Sequence, residues 1–314
     1  MARAAARPLV WDAAIARALE GVRQDVDVVA RLAADPIVVV HEQSAAPDRE
    51  LAGLVASSLA FGGAATIRDK AREVMARLGG RPSVAADDTR ALGRALEGFR
   101  HRVFVGDDVA RLLAGGRKVQ REEGSLGEAF AGALAREGAL RPALAAFVAR
   151  IRRAGRFPAR GSTERRGPAH ILPDPMGGGA CKRLLLYLRW MVRPSDGVDL
   201  GLWPVSPSVL LCPVDTHIGK IGRNLGFTRE KTATWRAAEE ITAHLALYCP
   251  DDPVRYDFAL CHLGMVQRCR EKSVDAICGT CPLDGLEGPE LPELEGAALC
   301  RHRHPRLLRP VVRP

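Results

Sequence analysis

The chain has 314 residues, 47% of them hydrophobic and 5% aromatic, and carries a net charge of +9. That length and apolar content predict a sizeable core split between two lobes, and the positive balance favours a polyanionic partner such as nucleic acid. Neither a membrane-spanning segment nor a secretory signal is expected, because no apolar run is long enough and MARAAARPLVWDAA has no apolar core.

A cytoplasmic, nucleoid-associated location is therefore expected. The eight cysteines then read as metal ligands or free thiols and not as disulfides.

Abundant Ala, Leu and Arg, with no useful alternating run, predict an all-α fold. The first helix is expected over residues 11–34, followed by an irregular stretch. Asp48 reads as the N-cap of a helix through Leu51, Leu54, Val55 and Ser58 to Phe61, broken by Gly62 and Gly63. Further helices are expected over 65–78, 89–102 and 107–113. Ser125 and Glu128 form a capping box ahead of Phe130 and Leu134, and another helix covers 142–153. The basic segment 150–167 reads as a solvated linker, with phosphate contact as its second reading.

Residues 170–193, HILPDPMGGGACKRLLLYLRWMVR, carry a loop with Pro173, Pro175, Gly177, Gly178 and Gly179 that runs into an apolar helical pattern. Unhindered backbone at a helix N-terminus can approach a phosphate, where free N–H groups and the helix dipole favour an anion. Lys182 falls in the first turn, where N–H dipoles and neighbouring cations favour a neutral, nucleophilic amine; a phosphate contact or a solvated lysine is the plainer reading. Trp190 and Trp203 sit among apolar residues and read first as core, with stacking on a base as the alternative.

The sequence LCPVDTHIGKIGRNLG follows at residues 211–226. Asp215 stands as N-cap of a helix starting at Thr216 and stopped by Gly226. Further on, Asp252 and Pro253 are expected to cap and open a helix through Phe258, His262 and Leu263. Beyond it come Cys269, the Cys278-Gly-Thr-Cys281-Pro motif, and Cys300. Four thiolates of this kind suit a [4Fe–4S] cluster, and zinc would satisfy the same residues. Cys181, Cys212 and Cys249 have no ligand spacing and read as free buried thiols.

Val-Asp-Thr-His, the proline- and glycine-containing hairpin with its lysine, and the C-terminal cysteines together resemble the helix-hairpin-helix base-excision DNA glycosylases of the endonuclease III type. The resemblance covers residues 171–300. It departs in the spacing of the cysteines, which leaves Cys300 or Cys261 as fourth ligand, and in the long connection from Lys182 to Asp215. That connection is similar to the archaeal 8-oxoguanine glycosylases, and the LRWMVR, GVDLGLW and PVDTH phrases are similar to a bacterial family of unassigned function.

The resemblance implies an all-α, two-lobed fold with a C-terminal cysteine-bound metal or iron–sulfur loop. Residues 1–46 would supply an N-terminal helix to the C-terminal lobe, 47–203 a helical barrel with the hairpin, and 204–300 the lobe with the catalytic aspartate, leaving 301–314 as a basic tail. It implies a monomer that excises a damaged base, such as 8-oxoguanine, from double-stranded DNA, with Asp215 and Lys182 catalytic. Gly177, Gly178, Gly179 and Arg183 would hold the DNA backbone, and Cys269, Cys278, Cys281 and Cys300 the metal. A monofunctional glycosylase and a non-catalytic nucleic-acid-binding protein are the alternatives on the same fold.

Overall fold

The computed structural model describes residues 9–159, 162, 165–266, 281 and 283. Its contacts divide the chain into two compact units, one of residues 28–210 and one joining 1–27 to 211–314. The first unit begins and ends some way from the expected boundaries at 46/47 and 203/204. The described residues are mostly helical, and none of their helices is long and apolar enough to cross a membrane.

The expected helix over 11–34 is two helices, α1 (Ala13–Asp25) and α2 (Val28–Ala34). Asp12 caps α1 by accepting from the Ala14 and Ile15 N–H groups, and Val26 leaves it in extended backbone. An aspartate-flanked, β-branched stretch, Asp25-Val-Asp-Val-Val, is poor helix interior, which accounts for the break.

In the unit of residues 28–210, α2 is followed by α3 (Val38–His41), α4 (Ala46–Ser58), α5 (Ala64–Arg77), α6 (Pro82–Ala85) and α7 (Thr89–Ala95). A two-residue ribbon, β1 (Arg100–His101) and β2 (Phe104–Val105), pairs Arg100 with Val105 and His101 with Phe104. Then come α8 (Gly106–Glu123), α9 (Leu126–Glu137), α10 (Leu140–Ala154), α11 (Gly167–Ile171), a 3₁₀ turn at Pro175–Gly177 and α12 (Lys182–Val192).

Three expectations are corrected here. Asp48 is not the cap of α4: that helix starts at Ala46 with Pro47 in its first turn, and the Asp48 carboxylate accepts from the Ser83 N–H at 2.8 Å. The helix over 89–102 ends at Ala95, and its tail forms the β1–β2 ribbon. The helix over 107–113 continues to Glu123, where Gly124 in a positive-φ conformation ends it. Ser125 does cap α9, accepting from the Glu128 N–H.

Helix α4 is the centre of this unit, packing against α3, α8 and α12. A helix buried nearly all round must be apolar nearly all round, yet Glu50 lies in its middle with only 3% of its surface exposed. Its Oε1 accepts from the Gly127 N–H at 3.0 Å and the Trp203 indole at 2.8 Å. Its Oε2 accepts from Gln120 at 2.7 Å and the Leu126 N–H at 3.0 Å. The Tyr187 hydroxyl donates to the Glu50 carbonyl, and the Trp203 ring packs against Tyr187, Phe130 and Phe147. Trp190 is buried as well, so both tryptophans are core residues.

A second buried charge group closes the segment after α12. Asp199, fully buried, accepts from Arg189 at 3.1 Å and from Arg193, while backbone bonds from Leu200 and Leu202 return to Trp190 and Met191.

In the other unit, α13 (Thr216–Asn224), α14 (Trp235–Ala246) and α15 (Asp257–Val266) assemble, with α15 packed against both α1 and α13. Asp252 and Pro253 form a turn ahead of α15 and do not open it. Where α13 and α15 meet, a Cβ added to Gly264 would lie 2.8 Å from the His217 Cβ, so glycine there sets the approach of the two helices.

Replacing Glu50 with alanine strands four donors in the core and should cost about 3–5 kcal/mol, read as a lowered urea midpoint. A loss within error would mean that water or a rearranged neighbour takes over those donors. Gly264→Ala sets a gain in helix propensity of about 1 kcal/mol against overpacking of about 1–3 kcal/mol. A net fall in Tm is expected, and a rise would show that His217 yields.

Candidate functional site

The Val-Asp-Thr-His segment leads from extended chain into α13. Asp215 adopts the extended backbone of an N-cap, and its Oδ1 accepts from the His217 and Ile218 N–H groups at 2.8 and 2.9 Å. The capping role read from the sequence is thus present. It occupies one carboxylate oxygen. The other, Oδ2, lies 3.5 Å from the Cys261 thiol, a donor on α15. The side chain is half-buried, next to the exposed Thr216. His217 carries a buried Nδ1 with no hydrogen-bond partner.

The same arrangement repeats one step earlier. Cys212 is buried, donates its N–H to the Thr242 hydroxyl oxygen at 2.9 Å and places its thiol 3.3 Å from Asp257 Oδ1. Asp257 and Cys261 are four residues apart on α15, hence on one face, and they meet Cys212 and Asp215 in order. The Cys261–Asp215 contact was not anticipated from the sequence, where Cys261 entered only as an alternative ligand. Its one legible signal is the four-residue spacing from Asp257.

Of the expected metal ligands, Cys269, Cys278 and Cys300 lie outside the described residues. Cys281 is described and half-buried. Among the described residues no group of three or more His, Cys, Asp or Glu is placed to hold a metal ion. Cys181 and Cys212 are buried and outside any disulfide, as expected for structural thiols. Cys249 is only half-buried and lies 3.7 Å from the Arg255 guanidinium.

In the unit of residues 28–210, the residues of the expected hairpin form the short α11, a loop and α12. Asp174 caps the 3₁₀ turn by accepting from the Met176 N–H, and Arg141 of α10 holds the loop by donating to the Pro175 carbonyl at 3.0 Å. Gly177, Gly178 and Gly179 are exposed, and a Cβ at any of them would meet no atom within 4 Å. Only Gly178, at φ +83°, needs glycine for its own conformation. The bare backbone at the other two is not demanded by packing, which leaves room for close approach from outside.

Helix α12 opens after Cys181, itself left-handed at φ +48°, without a side-chain cap. Lys182 is its first residue and half-buried. Arg183 turns inward: its guanidinium donates to the Ser58 carbonyl at 2.6 Å and to that of His170, and lies over the Phe104 ring at 5.4 Å. Burial lowers this guanidinium to about 10. The side chain therefore fastens the start of α12 to the end of α4, and only donors not spent there could face a phosphate. The basic linker is similarly tied in part, with Arg152 donating to the Pro158 and Pro168 carbonyls and Arg165 to Asp108.

No curated protein and no solved structure matches the chain. A family match spans residues 35–266, taking in the glycine loop, Lys182 and Asp215 and ending ahead of Cys269. By that match the chain belongs to the family described as a protein of unknown function (DUF2400).

Proposed function

We propose that the chain is a DNA glycosylase of the helix-hairpin-helix kind, acting in the cytoplasm on a damaged base in double-stranded DNA and probing it as a monomer. The observation that carries this reading is Asp215. One of its oxygens holds the N-terminus of α13 and the other lies 3.5 Å from the Cys261 thiol on α15, so the carboxylate is held in orientation by two neighbouring helices. A fixed, half-buried carboxylate suits the stabilisation of positive charge on a sugar as its bond to the base breaks. The exposed glycine loop ahead of the uncapped α12 supports backbone contact with phosphate, which reads no sequence.

The reaction begins with a nucleotide turned out of the stack, at a cost of a few kcal/mol that a lesion reduces. The Lys182 amine forms a bond to C1′ as the C1′–base bond breaks and the base leaves with its electron pair. The amine loses a proton to solvent as this bond forms, and the departing base takes one up from solvent. The sugar ring then opens: the C1′–O4′ bond breaks, O4′ takes up a proton and the C1′–N bond becomes a Schiff base. Loss of a C2′ proton then drives β-elimination, which breaks the C3′–O bond and releases the downstream strand with its phosphate. The cysteines 269, 278, 281 and 300 are assigned a [4Fe–4S] cluster that cross-links the chain beyond α15 and takes no part in the chemistry.

Asp215→Asn should abolish base release from lesion-bearing duplexes while leaving duplex affinity within a few-fold, because asparagine still caps the helix. Lys182→Gln should remove the borohydride-trapped adduct. Base release without trapping in the unaltered protein would make the enzyme monofunctional, and neither activity across a broad lesion panel would leave a binding protein.

Anaerobically purified protein should be brown, and alanine at Cys269, Cys278 or Cys281 should each bleach it, with Cys300 compared against Cys261 for the fourth position. Colourless protein with one equivalent of zinc would replace iron by zinc, and folded, active, metal-free protein would remove the site.

A further inference from the structure

The unit of residues 28–210 contains a cavity of about 610 Å³ between α7, α8 and the end of α10, within the size range of small-ligand pockets. None of the loop glycines, Lys182 or Arg183 lines it. The glycine loop is held near the start of α10, at Arg141, whereas the cavity lies at Ala154–Arg156, roughly 20 Å away at 1.5 Å per helical residue.

Its wall is cationic in a particular way. Five cations, Arg111, Arg117, Lys118, Arg121 and Arg156, face three carboxylates. Asp87 takes Arg117 at 2.9 and 3.0 Å and also Arg121 at 3.4 Å; Asp107 takes Arg111 at 2.9 Å. Glu122 is held by Arg150 at 3.1 Å and is 3.9 Å from Lys118.

A guanidinium has five N–H donors and a bidentate ion pair uses two, so these pairs fix the arginines in place and leave donors over. Arg156 has no ion-pair partner among the described residues, and it stands in a left-handed backbone at φ +51°, braced by Arg111 donating to its carbonyl. Such strain is retained where surrounding contacts impose it. Between the cations the wall is small and apolar, with Leu92, Ala110 and Ala114. A fixed excess of positive donors beside an apolar surface fits a ligand with a phosphate at one end and a flat ring at the other.

We infer that this cavity is a binding site for a phosphorylated small molecule of the nucleotide class, separate from the proposed excision chemistry. The probes are AMP, GMP and inorganic phosphate, titrated calorimetrically into the full chain, with a 20-base-pair undamaged duplex as a separate arm. AMP or GMP should bind more tightly than phosphate alone, because the ring adds apolar contact. Lys118→Ala with Arg121→Ala should weaken nucleotide binding at least tenfold. Ala114→Phe, which obstructs the apolar part of the cavity and leaves every charge in place, should weaken nucleotide binding at least tenfold without changing duplex affinity. Thermal melting of each variant separates lost binding from lost fold. Absence of nucleotide binding at millimolar concentration, or binding indifferent to both variants, overturns the inference. So does a result in which only duplex affinity falls in the charge variant, which would make the wall a DNA-backbone surface. Failure of base release with nucleotide binding intact would sink the glycosylase reading and leave this site standing.

Discussion

A buried carboxylate with four donors organises the unit of residues 28–210. Glu50 stands in the most enclosed helix of that unit, where an unpaired charge would be untenable. Four donors from three separate stretches of chain converge on it: the first N–H groups of α9, the Gln120 amide of α8 and the Trp203 indole. The start of α9 also offers the positive end of its dipole. Because a partly satisfied buried charge is worse than none, the arrangement is all or nothing, and it fixes how α8, α9 and the segment after α12 meet α4. From the far end of α4, the Ser58 carbonyl takes Arg183, so the start of α12 and its loop inherit their position from the same helix.

Structural and chemical roles need not compete for one aspartate. An N-cap contributes about 1 kcal/mol through a single oxygen, and a carboxylate has two. In Asp215 the helix N–H groups both fall on Oδ1, and Oδ2 looks toward Cys261. A thiol is a weak donor, and this contact helps orient Oδ2. The cap thereby becomes the device that holds the carboxylate still. This is why the ordinary explanation of Asp215 and the catalytic one cannot be told apart by position, only by chemistry.

What the sequence made legible were features decided within a few residues. The helix starts at Asp215 and Ser125, the break at Gly62–Gly63 and the glycine loop follow from local turn and capping rules. The failures share the opposite property. Asp48 looks like a cap because it precedes an apolar run, but its partner is Ser83, thirty-five residues on. Arg183 reads as a phosphate ligand because it follows the glycine loop, and its distant acceptors, Ser58 and His170, leave no mark in the local sequence. Glu50 carries no local signal at all. Residue 102 shows a different limit: helical periodicity continues past Ala95, yet Arg102 at φ +55° forms the turn of a ribbon whose His101 is anchored to the Leu59 carbonyl.

Net charge alone is a poor map of where this chain meets an anion. Some of its arginine is spent on internal partners: Arg189 and Arg193 on Asp199, Arg152 on three backbone carbonyls, Arg183 on two. Each of these fixes the fold, and burial makes its charge largely unavailable to a partner. The +9 excess matters only where cations outnumber nearby carboxylates and still face outward. By that criterion the wall of the α7–α8–α10 cavity, with Arg156 unpaired among the described residues, is a stronger candidate for anion recognition than Arg183. Beside the glycine loop, the proposed phosphate contact would fall instead to backbone N–H groups and to Lys182. The two regions would then hold phosphate by different means, one by side-chain charge and one by the open end of a helix.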